Sequence, residues 1–128
     1  MTRFRALGLF IIAIAALSAV KASVRPERAP DTAEILERAN FAARADAARV
    51  AIAALRGTLR EPASLQIEEV FARDPPQIVC IAYHAKNGMN GTTRTGAVVI
   101  GGVVSSDPTI WNKRCVGDGF HSVNVAYL

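Results

Sequence analysis

Ile78-Val79-Cys80-Ile81-Ala82-Tyr83-His84-Ala85-Lys86, then Asn87-Gly88-Met89-Asn90-Gly91, then a β-branched run from Thr93 to Val104: this order reads as two antiparallel strands joined by a Gly/Asn-rich hairpin loop. Two Asn-Gly pairs so close together leave the turn type open. Gly101-Gly102 predicts a bulge or sharp bend in the second of these strands. Upstream, Leu65 to Ala72 reads as a further strand, separated from Ile78 by the breaker Asp74-Pro75-Pro76. Downstream, Ser106-Asp107-Pro108 has the form of a cap with proline at the first helical position, and predicts a short helix through Ile110, Trp111 and Arg114. A last strand is expected at Ser122 to Tyr127. Phe71, Ile81, Tyr83 and Val99 read as sheet-face packing, and Trp111 as a cap on the core beside Cys115.

Before the strands the pattern is helical. Asp31 reads as an N-cap, with Glu34 completing a capping box, and the helix is expected from Thr32 to Leu55 or a little beyond. Ten alanines between Asp31 and Arg56 give it high intrinsic propensity. Glu34 and Arg38 form a supportive i,i+4 pair. Leu36, Ala43, Ala47, Val50 and Ala54 fall on one side, and Ile52, Leu55 and Leu59 widen that stripe near the C-terminal end. The second half is therefore expected to dock on the sheet, and the first half to project as a stalk. The fold class is α+β: a long N-terminal helix packed on a small antiparallel meander, residues 31–128, with one disulfide.

Residues 23–30 carry two prolines and alternating charges and read as a linker. Residues 1–22 read as a secretory signal peptide or an N-terminal membrane anchor. Arg3 and Arg5 precede an uncharged run from Ala6 to Val20, about 22 Å long as a helix and short of the roughly 30 Å of a bilayer core. Val20-Lys21-Ala22 places short side chains for cleavage before Ser23. No cysteine stands near that site for lipid attachment. Any membrane contact would run through residues 6–20, if they are kept.

The chain has 128 residues, enough for one domain, with 51% hydrophobic and 20% charged residues, which excludes a disordered class. Its formal charge is +4, but residues 1–22 hold three of the cations and no acid, leaving 12 Lys/Arg against 11 Asp/Glu. That balance carries no footprint for nucleic acid.

Cys80 and Cys115 are the only cysteines. An even count in an exported domain implies a disulfide. A zinc site of Cys80, His84, Cys115 and His121 is disfavoured, because Cys80 and His84 on one strand stand about 13 Å apart. The same distance defeats a Cys80–His84 nucleophile pair. Glu68 and Glu69, the only paired carboxylates, are expected to point to opposite faces of a strand. No catalytic residue, metal ligand or cofactor is assigned. The candidate contact surface is the hairpin loop and its flanks: Lys86, Asn87, Gly88, Met89, Asn90, Gly91 and Arg94, where a rigid base holds a polar tip with an adaptable methionine.

Leu59-Arg60-Glu61-Pro62-Ala63-Ser64, Val79-Cys80 through Ala85-Lys86-Asn87-Gly88, and Asn90-Gly91 together resemble the pattern of a family of small, uncharacterised exported bacterial proteins, and Trp111 to Cys115 resembles its later cysteine segment. The family pattern more often has Asp where Glu61 stands and Gly-Gly where Asn90-Gly91 stands. The resemblance implies an exported, disulfide-bearing α+β domain and brings no activity with it. The expected function is a non-enzymatic interaction domain of the periplasm or cell envelope, for a protein or another envelope component. The competing readings are a small exported hydrolase or thiol-dependent enzyme, and an anchor whose Ala-rich helix oligomerises.

Overall fold

The computed structural model describes residues 28–86, 88–89 and 91–128. The segment expected to be a signal peptide or anchor, most of the expected linker, Asn87 and Asn90 lie outside the described residues. Helix α1 spans Thr32–Thr58, and Asp31 caps it by accepting from the Glu34 amide at 2.9 Å. Its partners are five strands, β1 Gln66–Arg73, β2 Ile78–Lys86, β3 Thr92–Ile100, β4 Val103–Ser105 and β5 Phe120–Ser122, with helix α2 at Pro108–Arg114. They form one antiparallel sheet in the order β4-β3-β2-β1-β5. The α+β architecture is the one expected, but the meander covers only β1 to β4, because β5 returns to the far edge beside β1.

Two element boundaries differ from expectation. The run from Thr93 to Val104 is not one bent strand. Gly101 and Gly102 have φ of 57° and 81°, and such paired positive values are what a two-residue type I′ hairpin requires, so the chain reverses there and Ile100 pairs with Val103. At the C-terminus the strand is Phe120–Ser122 and a 3₁₀ turn, Val125–Tyr127, follows in place of the strand expected from Ser122 to Tyr127. Asn124 caps that turn by accepting from the Ala126 amide.

Strand periodicity sorts the sheet into two faces. Val79, Ile81, Tyr83 and Ala85 of β2, with Val70, Ala72, Ala97 and Val99, meet Ala48, Ala51, Ile52 and Leu55 of α1 in the main core. Ile52 and Leu55 are buried as expected, but the rest of the helix stripe is rotated: Val50 is 65% and Leu36 61% exposed, and Ala43 is exposed too, whereas Ala48 and Ala51 are buried. Alanine fills several sides of α1, so apolarity alone does not mark one side. The sheet selects the side on which small residues let the backbone come close. Ala47, Ala54 and Leu59 still pack at the margin of the core. From Thr32 to Ala43 only Asn40 is even half-buried, so this part projects beyond the sheet. Arg44 is buried where α1 reaches the sheet, with Nε donating to Asp74 Oδ1 at 2.8 Å and Nη2 to Glu37 Oε1 at 2.7 Å, which ties the helix to the β1–β2 turn.

The second face carries Cys80, Ala82 and His84. Cys80 and Cys115 are joined with their Cα atoms 6.0 Å apart, as expected, and the bond fastens α2 over this face. A disulfide is compatible with an oxidising compartment. Asp107 caps α2, accepting from the Thr109 amide at 2.8 Å. Phe71 pairs with Cys80 on β2 and so belongs to this second face rather than to the main core.

Candidate functional site

The register of β1 against β2 slips between Ile67, opposite Tyr83, and Glu69, opposite Ala82, which leaves Glu68 as the extra residue of a β-bulge. The bulge turns Glu68 and Glu69 to the same face, correcting the expectation that strand alternation would part them. Glu68 Oε1 meets His84 Nε2 at 2.6 Å, and Glu68 Oε2 accepts from Arg94 Nε at 2.5 Å. His84 and Arg94 are cross-strand neighbours, so the carboxylate bridges β2 and β3. The hydrogen bond from Arg94, then that of His84, holds the Glu68 carboxyl below its ordinary pKa, and Glu68 in turn raises that of Arg94.

Beside this cluster lies a groove of about 450 Å³ lined by Glu69, Ala82, Arg94, Gly96, Trp111 and Asn112, among others. Gly96 is what makes the arrangement possible. A Cβ there would stand 2.6 Å from Trp111 Cε3, so the missing side chain lets the indole lie directly against β3. Trp111 is half-buried, on the opposite face of the sheet from the main core it was expected to cap. Glu69 has no hydrogen-bond or ion-pair partner among the described residues and is attracted to Arg94 only through space. The groove thus offers an unbonded carboxylate, an amide, a hydroxyl and an aromatic surface, with a guanidinium already held by Glu68.

The hairpin residues are brought only partly into this site. Arg94 lines the groove. Lys86 sits at the end of β2, its amide donating to Ser64 Oγ at 3.0 Å and its ammonium 3.8 Å from Glu61 in an exposed and therefore weak pair. Gly88 packs against the Arg60 guanidinium, Gly91 is half-buried and Met89 is 90% exposed. Asn87 and Asn90 lie outside the described residues. His121 is 3.3 Å from Asp74, at the other end of the sheet from the Lys86 hairpin. Among the described residues no three potential ligands gather for a metal ion, and no helix is long and apolar enough to cross a membrane.

Reasoning from sequence missed Glu69 and the Glu68–His84–Arg94 bridge. The signal was present: core residues Ile67, Val70 and Ala72 are spaced three and then two, and the interval of three breaks the strand period at the two glutamates. No family model matches the chain, and neither do the curated proteins or the solved structures.

Proposed function

We propose that the protein is an exported domain of the periplasm or cell envelope that binds a protein or another envelope component through the α2 face of its sheet, as the resemblance to small exported bacterial proteins also suggests. The observation that carries this reading is the groove in which the unbonded Glu69 carboxylate and Trp111 line one cavity. A half-exposed indole beside a carboxylate that makes no hydrogen bond is an arrangement suited to recognition, since it offers apolar area and orientation together. Export fits the disulfide and the N-terminal charge pattern. A thiol-dependent mechanism has no free thiol while Cys80 and Cys115 are bonded. A hydrolase would have to use the His84–Glu68 pair, and among the described residues neither hydroxyl of the groove, Thr95 or Ser106, is hydrogen-bonded to His84.

The test is photo-crosslinking in living cells with a photoreactive residue at position 112 in one strain and at position 50 in another. A discrete adduct from position 112 and none from position 50 is expected, on a protein whose intact mass begins at Ser23 and which is recovered from the envelope. Equal labelling from both positions, or a full-length chain in the cytosol, overturns the reading.

A further inference from the structure

We infer that the outer edge of β3 takes up an extended peptide as an added strand and that a basic side chain of that peptide enters the groove between Glu69 and Trp111. This rests on the binding reading above and names its partner class. The argument begins with the direction of the peptide groups. The Val123 amide donates to the Val70 carbonyl at 2.8 Å, so Val70 and Ala72 turn their backbone groups to β5 and Glu69 and Phe71 turn theirs to β2. Their partners Ala82 and Cys80 therefore face β1. Alternation along β2 and its unbroken register with β3 then direct the backbone N–H and C=O of Arg94, Gly96 and Val98 away from β2. The hairpin gives the same answer independently: Ile100 and Val103 close its two-residue turn as a hydrogen-bonded pair, and Val98, two residues back, faces Ser105.

Strand β4 covers only Val98 to Ile100. After Ser105 the chain leaves the edge and crosses to the α2 face, where Ser106 and Pro108 line the groove. Arg94 and Gly96 are left with outward backbone groups and no strand beside them among the described residues. They lie two residues apart, about 7 Å, which is the repeat of an extended chain. An unpaired edge of this kind is the feature used in recognition by strand addition.

The groove sets the chemistry of the side chain. Arg94 is bonded to Glu68 and only attracted through space by Glu69, so two carboxylates face one guanidinium and Glu69 keeps its oxygens unbonded in the lining. The Trp111 ring shares the cavity with Glu69, and an indole face attracts a cation. A lysine or arginine on the added strand, projecting on the α2 side next to Gly96, meets both.

The probe is the blocked pentapeptide Thr-Val-Lys-Val-Thr, titrated into the isotope-labelled protein recovered from the envelope and followed by NMR. Expected are shifts of the Trp111 indole N–H together with exchange protection of the Arg94 and Gly96 amides. N-methylation of the central lysine and of its neighbouring valine, made separately, should differ: one loses binding by at least about tenfold and the other does not. Replacing the lysine by glutamate should weaken binding about tenfold. E69Q should erase that preference while leaving a norleucine peptide bound as before. Shifts at Trp111 without protection at Arg94 and Gly96 overturn the strand addition but leave the groove as a binding surface. Shifts of the edge amides that grow with protein concentration alone assign the edge to a second copy of this chain, and overturn the peptide. No response up to millimolar peptide also overturns it, and the crosslinking result then decides the broader reading by itself.

Discussion

The two faces of the sheet are built on opposite terms. Under α1, apolar residues of the helix meet apolar residues of the strands, and the helix, about 40 Å long, overshoots the strands it covers. Under α2 the cover is seven residues, about 10 Å of helix, laid over strands of nine residues that run about 30 Å. The shorter helix cannot shield that length. One part of the face is closed by the disulfide and Trp111, and the other is left to Glu68, Glu69, His84 and Arg94. The comparison teaches that the apolar core and the polar groove have been assigned to different sides of one sheet, with the bulge turning Glu69 onto the α2 face where strand alternation would have pointed it into the core.

The strongest way to break this division is at the disulfide. Replacing both Cys80 and Cys115 by Ser, which opens a loop with a sequence separation of 35, should cost about 4 kcal/mol in the chain-entropy account, read as a fall in the urea midpoint. A loss below about 1 kcal/mol would mean that α2 holds its place by packing alone. On the other face, Leu55→Ala should cost about 3 kcal/mol, because the side chain is fully buried at the centre of the core. That loss should leave the Trp111 emission unchanged, and a shifted emission would show that the two faces are coupled.

Gly96→Ala probes the close approach on the α2 face. Overpacking against the indole should cost about 2 kcal/mol and move the Trp111 emission to longer wavelength. An unchanged spectrum would argue against the ring lying on β3. The bridge is tested by pH. Glu68 titrates below its ordinary value, so its bonds to Arg94 and His84 contribute above the ordinary carboxylate range and are lost as pH falls through the depressed value. Glu68→Gln should lower stability modestly in the neutral region, leave the most acidic region nearly unmoved, and so flatten the acid limb of the stability profile. The smallest effect is expected at the exposed Val50: Val50→Ser should change stability by no more than about 0.5 kcal/mol. A larger loss would restore the helix stripe that apolarity alone suggests.

Much of the fold was legible because its signals are local. The Asp31–Glu34 box, the Asp107-Pro108 start of α2 and the nine residues of β2 depend on capping chemistry and periodicity that a short window contains. The pairing of Cys80 with Cys115 followed from there being no third cysteine. On α1, Ile52 and Leu55 were legible as docking residues, but which alanines join them was not, because alanine carries no directional preference and only the sheet chooses among its faces.

The residues of the proposed site divide in the same manner. Sequence alone determined that a polar hairpin joins β2 to β3 and that Arg94 stands at its foot. Only the tertiary structure decided that Arg94 would be held by Glu68, that Glu69 would share that face, and that Trp111 would lie on Gly96 instead of the main core. The reason is that a bulge, a cross-strand register and a helix brought back by a disulfide each place together residues that are distant along the chain, and no local pattern specifies which distant partner a side chain will meet.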